Sequence, residues 1–78
     1  MIAFLIVVDG FDDMAACAET APKARYLAWR SAQEAGYSSV TFARIRSARL
    51  PRLDAWATKQ EKPRLVACSA ADWEARGA

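Results

Sequence analysis

The feature that most constrains the fold is an uninterrupted apolar run near the start of the chain, Ile2 to Val8. A strand with one face in water alternates apolar and polar residues, whereas this run contains no polar residue. It therefore predicts a strand that is covered on both faces and lies in the interior of a sheet. The run is too short to cross a membrane and lacks the flanks of a signal peptide, so we expect a soluble cytoplasmic protein without membrane contact.

The residues after this strand predict a hairpin followed by a helix. Asp9-Gly10 provides turn chemistry, and we interpret Met14 to Glu19 as a short returning strand. The helix is predicted from Ala21 to Ala35, because Thr20 can cap its free amide groups and Gly36 suits the left-handed position after its end.

The second half of the chain predicts shorter elements. In order, these are a strand over Val40 to Ala48, a short helix over Leu53 to Gln60 with Trp56 turned inward, a strand over Arg64 to Cys68 and a last helical turn carrying Trp73. Together the elements predict an α+β fold, in which a small, mostly antiparallel sheet of three to four strands packs against one main helix, with short C-terminal helical turns. At 78 residues the chain predicts a single domain, residues 1–78.

An apolar content of 54% is ample for a hydrophobic core. Alanine is the dominant small residue and contributes little area, so the core should depend on a few larger side chains. We expect Trp56 and Trp73 to cover this core. The other large core residues predicted are Ile2, Phe4, Ile6, Val8, Leu27, Phe42 and Leu65.

The residue types argue against an enzyme and against a metal or cofactor site. The chain has 0 histidines, so it lacks the usual imidazole base and common zinc ligands. Its two cysteines, Cys17 and Cys68, have no metal-binding spacing, and we interpret them as small buried thiols. The acidic residues Asp9, Asp12 and Asp13 lack the spacing of a calcium loop and are interpreted as a solvated turn.

Four arginines lie within nine residues at Arg44, Arg46, Arg49 and Arg52. Two interpretations remain open for this run. The arginines of the predicted strand could bind phosphates or an acidic protein groove, or they could protect an edge strand from pairing with other chains. A net charge of +2 is low for a dedicated nucleic-acid-binding protein, so direct nucleic-acid binding is the less favoured use of the arginines.

The predicted helix carries a second candidate surface, which combines Tyr26 and Trp29 with two arginines. Trp, Tyr and Arg are enriched at the energetic centres of protein–protein interfaces. Alternatively, Trp29 could fold over the flank of the helix and cover the sheet. The complete set of predicted partner-binding residues is Arg25, Tyr26, Trp29, Arg30, Arg44, Arg46 and Arg49.

Two segments, Glu19 to Tyr37 (ETAPKARYLAWRSAQEAGY) and Ser39 to Arg49 (SVTFARIRSAR), resemble small uncharacterised accessory proteins of phages and prophages. The resemblance implies a mobile-element protein, and anti-CRISPR proteins are a prominent group among non-enzymatic proteins of this size. We therefore expect an inhibitor that binds a host CRISPR effector complex and blocks its access to target DNA, acting as a monomer or homodimer in the bacterial cytoplasm. The alternative is a small nucleic-acid-binding regulatory protein.

Overall fold

A four-stranded antiparallel sheet forms the centre of the structure, a computed structural model that describes residues 1–77. The strands are β1 (Ile2–Val7), β2 (Met14–Ala18), β3 (Arg46–Arg49) and β4 (Arg64–Ala67), arranged in the order β3-β1-β2-β4. The helices are α1 (Ala21–Glu34), α2 (Asp54–Thr58) and α3 (Cys68–Ala75). The predicted α+β fold is confirmed, and within residues 1–77 no helix is long and apolar enough to cross a membrane.

The interior position predicted for the first strand is confirmed, because β1 pairs with β2 on one side and with β3 on the other. Its side chains alternate between two hydrophobic clusters. Phe4 and Ile6 pack toward α1, and Ala3 packs toward the opposite cluster, which contains residues of α2 and α3. Both faces of β1 are therefore covered, which explains why the run contains no polar residue.

The hairpin and the main helix form as their sequence signals predict. Gly10 adopts a φ of 86° in the turn between β1 and β2, a conformation that glycine tolerates without strain. The hydroxyl oxygen of Thr20 accepts a hydrogen bond from the amide of Lys23 at 3.4 Å and caps α1. Gly36, with a φ of 92°, follows the other end of α1.

The second face of the sheet is covered by α2 and α3. Trp56, which is only 3% exposed, lies in this cluster with Leu53 and Ala71. Its indole N–H donates to the Glu74 carboxylate at 2.7 Å and links the two helices. This bond, with a contribution from Arg64, lowers the pKa of Glu74. The inward position predicted for Trp56 is confirmed.

The strand predicted over Val40 to Ala48 is wrong in its first half. Phe42–Arg44 forms a 3-10 turn, and the strand begins only at Arg46. The reason is the length of β1, whose residue Val7 pairs with Arg46, so no backbone partner remains beyond that point. Arg44 therefore lies outside the sheet.

Four expectations about burial are also corrected. Ile2 does not lie in the core, because it is 36% exposed at the start of β1. Trp73 does not cover the core, because it is 66% exposed on α3 while Ala71 of the same helix faces inward. Phe42 is 40% exposed because the 3-10 turn places it outside the sheet. Cys17 is buried as expected, and burial raises the pKa of its thiol, but Cys68 is only half-buried.

The two C-terminal tryptophans allow a matched test of this packing. Trp56→Ala removes a buried ring and should cost about 3–5 kcal/mol of the free energy of unfolding. Trp73→Ala removes an exposed ring and should change it by less than about 0.5 kcal/mol. Urea denaturation followed by circular dichroism measures both values. Similar losses for the two variants would contradict the assignment of Trp56 to the core and Trp73 to the surface.

Candidate functional site

Three of the predicted partner-binding residues meet around one unexpected residue, Phe42. Tyr26 and Trp29 lie three residues apart on α1, so they share one side of the helix, with ring centroids 5.8 Å apart. Tyr26 is 49% exposed, and Phe42 lies beside both rings. We call the surface formed by Arg25, Tyr26, Trp29 and Phe42 the aromatic–arginine face.

The guanidinium of Arg25 is held in place on this face. Its Nη1 donates to the hydroxyl oxygen of Ser47 on β3 at 2.8 Å. Its central carbon lies 5.9 Å from the centroid of the Phe42 ring, within the range of a cation–π contact. Because both contacts position the side chain before any partner arrives, Arg25 would lose little conformational entropy on binding.

Phe42 is the centre of the aromatic–arginine face, since three shallow depressions meet at its ring. The first lies between Phe42, Tyr26 and Trp29 and measures about 320 Å³. The second measures about 440 Å³ and extends to Pro22, Leu27 and Pro63, and the third measures about 450 Å³ and extends to Ile45, Arg46 and Ser47. The aromatic–arginine face is therefore a continuous, mostly apolar surface with Arg25 along one edge.

Trp29 has a mixed role on this face. It packs against the cluster formed by Phe4, Ile6 and Ala28, and it is half-buried. Its other part lines the depression shared with Tyr26 and Phe42. Trp29 thus covers the sheet with one part of its side chain, as the alternative interpretation expected. Tyr26 is the exposed aromatic residue of α1.

The arginines of the chain do not form the single surface that the sequence suggests. Arg46 and Arg49 lie three positions apart in β3, so their side chains leave on opposite faces of the sheet. Arg46 contacts Asp9 at 3.1 Å, and Arg30 contacts Glu34 at 3.0 Å, both in exposed positions. Within residues 1–77, Arg44 forms no ion pair.

Arg49 contributes to the fold rather than to the aromatic–arginine face. Its guanidinium contacts the Asp54 carboxylate at 2.7 Å and donates to the carbonyl oxygen of Ala3 at 2.8 Å. It also lies 5.6 Å from the centroid of the Phe4 ring. The hydrogen bond from Arg49, together with one from the Ala3 amide, lowers the pKa of Asp54. Arg49 thus connects two strands to the start of α2.

Both interpretations of the arginine run find support in different residues. β3 is an edge strand, and it carries the charged residues Arg46 and Arg49, as protection against pairing with another chain would require. Arg46 also borders the depression that contains Arg25 and Phe42. The binding interpretation therefore keeps Arg25, which is bonded to Ser47 on the α1 side of the sheet. The side chain of Arg46, next to Ser47 in β3, leaves on the opposite face, and Arg49 supports the structural interpretation.

Sequence reasoning missed Phe42 as a surface residue, because an aromatic residue between Thr41 and Ala43 fits a strand as well as a turn. The available signal was Ser38-Ser39, whose hydroxyls favour a loop shortly before Phe42. Within the described residues 1–77, no group of three or more acidic or cysteine side chains could hold a metal ion. The acidic residues of the hairpin therefore do not form such a group.

Comparison of the chain with protein-family models, curated proteins and solved structures gives no significant match. The function proposed below is therefore argued from the geometry of the surface and from the resemblance of the two segments.

The Arg49–Asp54 contact predicts a specific acid dependence of stability. Because the pKa of Asp54 is lowered in the folded chain, the unfolded chain binds the proton more readily as the pH falls. The stabilisation is complete above the usual aspartate pKa of about 4 and is lost as the pH falls further. Thermal unfolding between about pH 5 and pH 2 should therefore show a shallower decline for Asp54→Asn than for the unmodified chain.

Asp12→Asn is the matched control, since it removes an exposed carboxyl that forms no ion pair within residues 1–77. Its melting temperature should follow the same decline with pH as the unmodified chain. If the melting temperatures of Asp54→Asn and of the unmodified chain decline equally with falling pH, Asp54 does not contribute to the loss of stability in acid.

Proposed function

We propose that this protein is a non-catalytic interaction protein that binds another protein through the aromatic–arginine face. The observation that carries the proposal is the position of Phe42, exposed beside Tyr26 and under Arg25 at the meeting point of three depressions. Exposed aromatic rings next to a pre-positioned arginine are the arrangement expected of an interface centre. The arrangement offers large contact area with little loss of side-chain freedom.

The charge of the face favours a partner with an acidic surface. Arg25 has no acidic partner within residues 1–77. A carboxylate of the partner could accept hydrogen bonds from the guanidinium of Arg25. The apolar rings of Tyr26 and Phe42 would exclude water around that contact.

The non-catalytic part of the proposal is supported by the chemistry of the carboxyl groups. The pKa values of Glu19, Asp54 and Glu74 are lowered by hydrogen bonds to Lys23, Arg49 and Trp56. A general acid at neutral pH requires a raised carboxyl pKa instead. Asp54 and Glu74 connect separate elements of the fold, whereas Glu19 forms an exposed local pair with Lys23.

The identity of the partner rests on the resemblance to phage and prophage accessory proteins. On that basis we propose that the chain is an anti-CRISPR inhibitor in the bacterial cytoplasm, where it binds a host CRISPR effector complex and blocks access to target DNA. A net charge of +2 does not suit imitation of DNA by an acidic surface. Steric obstruction by a docked domain is the mechanism that fits this charge.

A competition experiment tests this proposal. The protein is mixed with purified bacterial CRISPR effector complexes and labelled target DNA, and the fraction of bound DNA is measured. The unmodified chain should displace DNA from one effector type. Tyr26→Ala and Phe42→Ala should need at least about tenfold higher concentrations for the same displacement, because each removes a ring from the centre of the interface. Trp73→Ala is the matched control, since it removes an exposed ring away from the face, and should inhibit normally.

Two outcomes would contradict the proposal in different ways. If no effector responds, the anti-CRISPR assignment is wrong. If an effector responds but Tyr26→Ala and Phe42→Ala inhibit as well as Trp73→Ala, the aromatic–arginine face is not the binding surface. Circular dichroism of each variant shows that a weaker inhibitor is still folded.

A small nucleic-acid-binding regulatory protein is the second candidate function. The observation that favours it is the position of Arg25 beside the exposed rings of Tyr26 and Phe42. Bases can stack on the two rings while the guanidinium of Arg25 contacts a phosphate. A mobility-shift titration with single-stranded oligonucleotides at rising salt tests this candidate. Binding that weakens with salt and is lost in Tyr26→Ala would favour it over the protein-binding function, and the absence of any shift would exclude it.

A further inference from the structure

The two edges of the sheet carry different residues. β3 forms one edge and has a charged residue at each end, Arg46 and Arg49, which oppose pairing with another strand. β4 forms the other edge, and Arg64 at its first position is its only charged residue. The rest of β4, Leu65 to Ala67, is apolar and therefore lacks this protection.

The open side of β4 presents backbone groups that the fold does not use. In an antiparallel ladder, alternate residues direct both the N–H and the C=O toward the neighbouring strand. The amide of Cys68, directly after β4, donates to the carbonyl oxygen of Asp13 at 3.5 Å, so Val66, two residues earlier, also faces β2. Leu65 and Ala67 therefore direct their amides to the open edge. Within residues 1–77, no turn, loop or helix end accepts a hydrogen bond from either amide.

The side chains of β4 are partly exposed on both faces of the sheet. Leu65 packs against the cluster under α1 and Val66 against the cluster under α2 and α3, and both are half-buried. Ile6 in the interior strand β1 is fully buried by contrast, because β1 has a neighbouring strand on each side. A strand that covers the open edge should therefore present apolar side chains on both faces, which is the pattern of β4 itself.

We propose that β4 pairs with β4 of a second copy of this chain, so that the two sheets join into one. A two-fold axis perpendicular to the sheet makes the pairing antiparallel and places Leu65 opposite Leu65 of the second copy. The two leucines then exchange both main-chain hydrogen bonds, and the amide of Ala67 donates to the carbonyl oxygen of Pro63 of the second copy. Pro63, which has no N–H, serves only as an acceptor in this pairing.

The symmetric pairing also suits the side chains. Arg64 lies opposite Val66 of the second copy, so the two copies of Arg64 do not face each other across the ladder. The guanidinium of Arg64 stays bonded to the Glu74 carboxylate of its own chain at 3.1 Å. Pairing of β4 with β3 of a second copy is a poorer match, because it would bring the two arginines of β3 into an apolar junction. That head-to-tail arrangement also leaves an open edge at each end and would not close.

Sedimentation equilibrium and amide hydrogen exchange test the proposal together. Between about 10 μM and about 1 mM, the range in which small interfaces associate, the unmodified chain should change from monomer to dimer. Exchange of the Leu65 and Ala67 amides should be at least about tenfold slower at the high concentration, because the second copy protects them. Exchange of the Val66 amide should change less, since this amide already faces β2.

Substitutions in β4 separate the contact between copies from the fold. Ala67 is exposed and has a φ of −59°, which proline adopts without strain. Ala67→Pro removes an amide that faces the open edge and should weaken dimerisation at least about tenfold, because each dimer loses this hydrogen bond twice. Ala67→Ser, which keeps the amide, is the matched control and should dimerise like the unmodified chain. Leu65→Lys, a second variant, sets like charges opposite each other and should remain a monomer.

The outcomes decide the pairing of β4 separately from the proposed function. A chain that stays monomeric up to about 1 mM overturns the proposal. A dimer in which the Leu65 and Ala67 amides exchange as fast as in the monomer also overturns it, because the copies then meet through another surface. The same holds if Ala67→Pro folds and dimerises as well as Ala67→Ser. The role of the aromatic–arginine face is measured by the competition with DNA and does not depend on these results.

Discussion

The burial of β1 on both faces is the constraint on which the rest of the structure depends. Phe4 and Ile6 belong to the cluster under α1, and Ala3 belongs to the cluster under α2 and α3. A small domain has little area to bury, so a strand that contributes to two clusters must be enclosed from both sides. α1 covers one face of the sheet, and α2 and α3 cover the other. The placement of these helices determines which side chains remain at the surface.

Small side chains dominate the contact between α1 and the sheet. β2 contributes Ala15 and Ala16 to the core, and α1 contributes Ala24 and Ala28, so the helix packs closely on the sheet. Tyr26 lies on the outer side of α1 and Phe42 lies outside the sheet, and the small face of α1 leaves an apolar cleft beside Phe11 and Tyr37.

The ion pairs explain why an arginine-rich segment does not produce a strongly basic surface. Three arginines contact acidic residues of the short helices α2 and α3. Two of these arginines lie in strands, and the third lies in the turn Pro51–Leu53 between β3 and α2. The pairs are Arg49 with Asp54, Arg52 with Asp72 and Arg64 with Glu74. Charges that look concentrated in the sequence are thus distributed through the fold, and the guanidinium groups left for a partner are few.

The sequence by itself determined the features that depend on neighbouring residues. The enclosed strand, the turn at Asp9-Gly10 and the capped helix from Thr20 to Gly36 follow from local periodicity and backbone preference. Only the tertiary structure decided which residues form the surfaces. Phe42 became exposed because β1 offers no pairing partner beyond Val7. The guanidinium of Arg49 stays at the surface but is engaged by Asp54 and by the carbonyl oxygen of Ala3. Such outcomes depend on strand length and on distant partners, and no local pattern encodes either.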